Sequence, residues 1–189
     1  MMDFQKLIAE VAKILRELRI PYAVTGGYAI SIWGRPRSTF DIDVIIELPI
    51  AKIPSLAIAL KRITGISYVD EGMMIRAVER KGEFNYIHAD SGIKVDFFVQ
   101  DKDPFATLKF KRRIPKKIAG ETVHFVSPED LILSKLLWHK ESDSERQLSD
   151  ISSVLKRQKK LDWKYLRKWS TIQSTDKVLE SLRKSDKNK

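Results

Sequence analysis

The chain has 189 residues, 43% hydrophobic and 32% charged, with a formal net charge of +10, enough for one domain with a small helical appendage and a sizeable core. It contains no cysteine, which excludes disulfides, thiolate metal sites and cysteine nucleophiles and agrees with a reducing cytoplasm. The charge favours polyanions such as nucleic acid, nucleoside triphosphates or an acidic surface, while charges interrupt every apolar stretch of residues 1–19 and no apolar run reaches membrane-spanning length, so neither a signal peptide nor a membrane partner is expected.

Phe4, Leu7, Ile8, Val11, Ile14, Leu15 and Leu18 repeat at helical spacing and predict an amphipathic helix that Pro21 ends. Residues 22–25 read as a short strand, Gly26-Gly27 as the turn after it, and residues 28–33 as a short helix broken by Gly34 and Pro36. Residues 41–48 form a β-rich run. Residues 50–63 read as a helix with Ile53, Leu56, Ala57, Leu60 and Ile63 on one face. Residues 73–80 are ambiguous between helix and strand. Residues 84–88 and 93–100 read as neighbouring strands around Asp90-Ser91-Gly92, and residues 122–126 as another strand. Ser127-Pro128-Glu129-Asp130 is a helix start: Ser at the cap, Pro first, acids in the first turn. Helices follow to the end, with a polar break at residues 141–144 and a frayed tail over 185–189. The order is mixed α/β first and helices last, with a boundary near Ser127.

Two aspartates, Asp41 and Asp43, stand inside the apolar run of residues 41–48, and a third, Asp96, inside Lys94-Val95-Asp96-Phe97-Phe98-Val99. Carboxylates among strand-forming apolar residues are costly unless something binds them. In a strand, residues two apart project from one face, about 6–7 Å between Cα atoms. Asp41 and Asp43 therefore project together, and oxygen donors of this kind suit Mg²⁺. If the strand carrying Asp96 lies alongside, three acids reach one spot, the donor set used to hold two ions for in-line phosphoryl displacement. Upstream, Gly26-Gly27 lies at a strand-to-helix junction, where backbone N–H groups attract phosphate; an ordinary tight turn is the alternative. Arg35 and Arg37 match phosphate oxygens in bidentate fashion, or are surface arginines. Thr39 either helps hold the loop or the nucleotide, or only favours the strand.

Gly26-Gly27, then Asp41-Ile42-Asp43, then Asp96 in Val95-Asp96-Phe97 resembles the nucleotidyltransferase superfamily that includes DNA polymerase beta. The resemblance covers most of the first hundred residues. It implies an α+β fold: a small mixed β-sheet flanked by helices over residues 1–126, followed by a C-terminal helical region over residues 127–189 packing on it. It implies that Asp41, Asp43 and Asp96 bind two Mg²⁺ ions and carry catalysis. It further implies that Gly26 and Gly27 cradle a nucleoside triphosphate such as ATP, with Arg37 and Thr39 as further nucleotide contacts.

Lys135 interrupts an otherwise apolar helix. Either its stem packs while its ammonium reaches water, or the cation serves the triphosphate. The segment Pro128-Glu129-Asp130-Leu131-Ile132 with Lys135, followed by Asp150 in the next helix, is similar to small bacterial and archaeal nucleotidyltransferases, including the abortive-infection type that contains toxin components. That similarity implies phosphate contact by Lys135, support of the site by Asp150, and a cognate antitoxin protein as one partner. His88, His124 and His139 have no ligand spacing, and Trp138, Trp163 and Trp169 read as core or helix-packing residues. No Walker-type loop is present.

The leading expectation is a Mg²⁺-dependent enzyme that transfers a nucleoside monophosphate from an NTP to an acceptor hydroxyl with release of pyrophosphate. The basic stretch over residues 109–117 and the basic helical tail permit tRNA or another RNA as acceptor; a protein hydroxyl or a small molecule stays open. The alternative is a non-catalytic nucleotide- or RNA-binding component of a toxin–antitoxin pair.

Overall fold

A computed structural model describes residues 3–64, 67–100 and 103–187. The chain divides into two compact units. Residues up to Tyr28 with Ser38–Val126 form the first, and Ala29–Arg37 with the residues from Ser127 onward form the second.

The first unit holds a seven-stranded mixed sheet. α1 (Phe4–Glu17) is capped by the Asp3 carboxylate, which accepts from the Lys6 N–H at 2.8 Å, and it buries Leu7, Ile8, Val11 and Leu15. β1 (Tyr22–Val24), α2 (Gly26–Trp33) and β2 (Asp41–Ile46) follow. The predicted helix over residues 50–63 is a single 3-10 turn, Ile50–Lys52, leading into α3 (Ile53–Lys61), because Pro54 is accepted only in a first helical turn. β3 (Ser67–Tyr68) precedes α4 (Glu71–Arg80). The ambiguous stretch is thus helical, and Asp70 caps it by accepting from the Met73 N–H. β4 (Glu83–His88) and β5 (Ile93–Val99) form the expected hairpin. The basic run over 109–117 spans two elements. It divides between the end of α5 (Pro104–Lys111) and β6 (Ile114–Ile118), which pairs with β7 (Glu121–Phe125). β6 is an edge strand whose Pro115, Lys116 and Lys117 are exposed, residues that discourage edge-to-edge association.

The strand order is β3-β4-β5-β2-β1-β7-β6, with β2–β5 and β1–β7 parallel and the other pairs antiparallel. Along β2, β4 and β5 alternate residues are buried in the core: Ile42, Val44 and Ile46; Phe84 and Tyr86; Val95, Phe97 and Val99. Helix α4 contacts β4 and β5, and α1 contacts β6 and β7. Phe84 and Phe97 stack at 4.8 Å between centroids, a pair worth about 0.5–1.5 kcal/mol beyond area burial. The alternate residues of β2 and β5, which include all three aspartates, occupy the opposite face.

The second unit is helical: the end of α2 from Ala29, then α6 (Pro128–Ser142), α7 (Glu145–Arg157), α8 (Trp163–Ile172) and α9 (Asp176–Lys187). Ser127 caps α6, its Oγ accepting from the Asp130 N–H at 3.1 Å. The first-turn acids do more than face the helix dipole. Asp130 is fully buried and accepts from Ser127 Oγ and the Tyr165 hydroxyl, each at 2.7 Å, and Glu129 accepts from the Asp162 N–H. The tail expected to fray stays helical through Lys187, and residues 188–189 lie outside the described ones. Among the described residues no helix is long and apolar enough to cross a membrane.

Candidate active site

The parallel pairing of β2 with β5 sets Asp43 opposite Asp96 and Asp41 opposite Lys94. Neighbouring strands lie about 4.8 Å apart, so the three carboxylates share one patch of one sheet face. The row continues across the hairpin: Asn85 of β4 is the register partner of Asp96, and its Oδ1 is buried without a hydrogen-bond partner among the described residues. Asp43 and Asp96 are thus adjacent anions on one sheet face, an arrangement that a cation would offset.

Lys94 supplies one. Its ammonium is 2.8 Å from Asp96 Oδ2 and 3.8 Å from Asp41 Oδ1. The hydrogen bond to Asp96 raises the Lys94 pKa. Among the described residues no three His, Cys, Asp or Glu side chains converge as a metal cage. The donor set nonetheless fits a hard cation: every donor is oxygen, and an ammonium already lies between two of the carboxylates. Asp96 is largely shielded, at 16% side-chain exposure, whereas Asp41 at 44% faces solvent.

Gly26 and Gly27 form the first turn of α2 rather than a turn before it. The Gly27 N–H donates to Asp43 Oδ2 at 3.3 Å, so a helix N-terminus faces this carboxylate. Gly26 has φ +59°, and a Cβ there would stand 2.8 Å from Asp43 Cβ and overlap its carboxyl group. Only glycine gives this backbone and this approach. Gly26→Ala is expected to push Asp43 aside, costing about 10²-fold in turnover and about 1–3 kcal/mol of stability. Pyrophosphate release and denaturant unfolding of the variant measure the two effects; unchanged values would remove Gly26 from the site.

The other residues expected to contact the nucleotide also make bonds within the protein. Thr39 Oγ1 donates to the Asp41 backbone carbonyl at 3.1 Å, holding the start of β2. Arg37 and Lys135 meet in the helical unit on Asp150. Arg37 donates through Nε and Nη2 to the two carboxylate oxygens, each at 3.0 Å, and Lys135 Nζ lies 2.9 Å from Oδ2. The Lys135 ammonium therefore does not reach water; the residue is 3% exposed and Asp150 4%. Burial alone would raise the Asp150 pKa, but hydrogen bonds from Arg37 and Lys135 outweigh it and hold the carboxyl below its ordinary value. Lys135 also lies 5.2 Å from the Trp138 ring centroid, and Trp138 is a half-exposed surface residue rather than a core one.

Two residues beside the acids escaped the sequence reading, Lys94 and Asn85. Lys94 was findable, because the two-residue spacing that joins Asp41 to Asp43 also joins Lys94 to Asp96. Asn85 was not, since its place depends on cross-strand register. The histidines are structural in their contacts: His88 Nδ1 bonds Ser91 Oγ within its turn, His124 packs edge-on against Tyr22, and His139 Nδ1 contacts the Ser144 carbonyl.

Solved structures share this fold at low identity. An antigenic nucleotidyltransferase-like protein from Paracoccidioides brasiliensis is 22% identical, with a TM-score of 0.53 over 80% of this chain and 73% of that one. ANT(2")-Ia in complex with adenylyl-2"-tobramycin is 17% identical, with a TM-score of 0.53 over 97% of each chain. No curated protein matches. A family profile described as a nucleotidyltransferase of unknown function, DUF6036, matches residues 2–188; with nearly the whole chain matched, the protein belongs to this nucleotidyltransferase family.

Proposed function

We propose that the protein transfers a nucleoside monophosphate from an NTP to an acceptor hydroxyl in a Mg²⁺-dependent reaction. The observation that carries this reading is the register of Asp43 against Asp96, with Asp41 two residues away on the same face and Gly26 closed against Asp43. The acceptor oxygen attacks the α-phosphorus, the bond to the bridging oxygen of the β-phosphate breaks, and pyrophosphate leaves with that oxygen. Asp41, Asp43 and Asp96 would hold two Mg²⁺ ions, which when bound supply charge stabilisation to the phosphates and a lowered pKa to the attacking hydroxyl. Asp96, shielded and adjacent to Asp43, takes up the hydroxyl proton directly or through water. Lys94 must withdraw from Asp96 and Asp41 for both carboxylates to serve.

The helix N-terminus at Gly26-Gly27 presents backbone N–H groups to phosphate. Thr39, Arg37 and Lys135 are proposed as further nucleotide contacts. Arg37 and Lys135 both bond the single Asp150 carboxylate. ATP is the first donor to test, because the similar fold of ANT(2")-Ia binds an adenylylated product. A cysteine-free chain suits the cytoplasm, where NTP and Mg²⁺ are abundant. A cognate antitoxin protein is a further proposal, resting on the resemblance to abortive-infection enzymes.

The test is pyrophosphate release from each NTP in the presence of cell RNA, protein or small-molecule extract. Release is expected with Mg²⁺ and is expected to stop with a chelator. Metal-independent release, or none with any donor and acceptor, would overturn the reading.

A further inference from the structure

Helix α7 sets Ser149, Ser152, Ser153, Lys156 and Arg157 along one face, at helical spacings of three and four. With Arg35 they line an open pocket of about 390 Å³ within the helical unit. No acidic side chain lines it among the described residues.

The segment that carries Arg35 is clamped in place. Arg157 Nη1 donates to the Gly34 carbonyl at 3.0 Å, and Gln158 Nε2 donates to the Trp33 carbonyl at 2.6 Å. Gly34 itself lies against α7 so closely that a Cβ would overlap Ser153 Oγ. The approach of loop and helix is thus built by a glycine and two side-chain bonds. Arg35 and Lys156 form no hydrogen bond or ion pair among the described residues. Lys156 and Arg157 also offset the negative end of α7, but Arg35 belongs to another segment and has no such role.

Ser153 Oγ already donates to the Asp150 carbonyl at 2.8 Å; the three cations with the Ser149 and Ser152 hydroxyls, and no carboxylate, match phosphate oxygens. The same set repels a cationic small molecule. The volume exceeds that of a lone phosphate and admits a phosphate with its sugar. Serine hydroxyls also accept from a 2′-hydroxyl, which distinguishes RNA from DNA. The two segments of the helical unit carry 17 Lys and Arg against 10 Asp and Glu, so long-range attraction acts in the same direction. We infer that this pocket grips the sugar-phosphate backbone of a single-stranded RNA acceptor. The inference names an acceptor for the nucleotidyl transfer proposed above and rests on that reading.

Fluorescence anisotropy of a labelled single-stranded RNA with the full chain tests it. Arg35→Ala and Lys156→Ala are exposed changes, and each is expected to weaken RNA about tenfold. Each should also reduce the slope of log affinity against log salt by about 0.7, one phosphate contact on a single strand. Calorimetry with Mg²⁺ and ATP should give unchanged nucleotide affinity for Lys156→Ala. Ser152→Ala should reduce the preference for RNA over DNA of the same sequence. Unaltered RNA binding in both cation variants, loss of nucleotide instead of RNA, or equal binding of DNA and RNA by the unsubstituted chain would each overturn the inference. The donor reading fails separately: absent pyrophosphate release together with RNA binding that depends on Arg35 and Lys156 would remove the transfer reaction and leave the pocket.

Discussion

Asp43→Asn and Asp96→Asn are each expected to lower NTP turnover by at least about 10³-fold while the protein stays folded. The two side chains are register partners on neighbouring parallel strands, and Asp41 joins them from two residues away. Replacing one carboxylate oxygen by an amide removes a charge and an anionic donor from a site meant to balance metal and triphosphate. Several kcal/mol of transition-state stabilisation depend on that charge, and each 1.36 kcal/mol is tenfold in rate. The fold loses little. Asp43 and Asp96 repel each other, so neutralising either relieves strain, and the Lys94–Asp96 pair is partly exposed and worth little. The measurement is pyrophosphate release beside a denaturant melt of the same samples. A variant that turns over at the original rate would show that the acids are not the reaction centre, and one that unfolds would show that they are structural.

The largest stability effect is expected at Asp150. Asp150→Ala should destabilise the protein by about 3–5 kcal/mol, because it removes a buried carboxylate that both the Lys135 ammonium and the Arg37 fork bond. Adding Lys135→Met should recover part of the loss by removing the buried charge, which a simple packing defect would not permit. The pH dependence has a definite sign. The folded Asp150 pKa is lowered, so the unfolded chain binds the proton more readily. The stabilisation is therefore complete above the unfolded carboxylate pKa of about 3.9, and it is lost as pH falls through the lower folded value. Asp150→Asn should flatten the acid limb of the stability profile below about pH 4. A variant with unchanged stability, or with the same acid slope, would show that the three-way ion pair contributes nothing net.

The two results separate roles that the sequence presents alike. Asp43, Asp96 and Asp150 are all aspartates whose side chains are largely shielded from water in the fold or lie in apolar strands. The first two are adjacent anions, with Lys94 paired to Asp96, an arrangement that is poor for stability and apt for binding cations. The last is held by two cations, an arrangement that stabilises the fold. Arg37 and Lys135 were expected to serve the nucleotide. Both also bond Asp150, which ties the two cations to the fold.

Short-range pattern was enough for much of the architecture. Helical spacing in residues 4–18 placed α1, the Ser-Pro-Glu-Asp start placed α6, and two-residue alternation placed Asp41 with Asp43 and drew β2, β4 and β5. These follow from the backbone geometry of one segment at a time, which is why they are readable from residues alone. The division of the basic stretch over 109–117 between α5 and β6 was not legible, because composition does not say where a helix yields to an edge strand. The glycine pair misled because a helix can begin on glycine when a carboxylate needs the room.

The sequence by itself determined the acids, their shared face, the glycine pair and the excess of positive charge, since each depends on residues that are neighbours along the chain. Only the tertiary structure decided that β5 lies parallel to β2 with Asp96 opposite Asp43, that Lys94 sits among the acids, and that Arg37 and Lys135 close on Asp150. Strand register and buried ion pairs join positions far apart in sequence, and they are selected by the packing of the whole unit rather than by local preference. Gly26 links the two levels: its residue type is written in the chain, and its necessity appears only where Asp43 comes to rest against it.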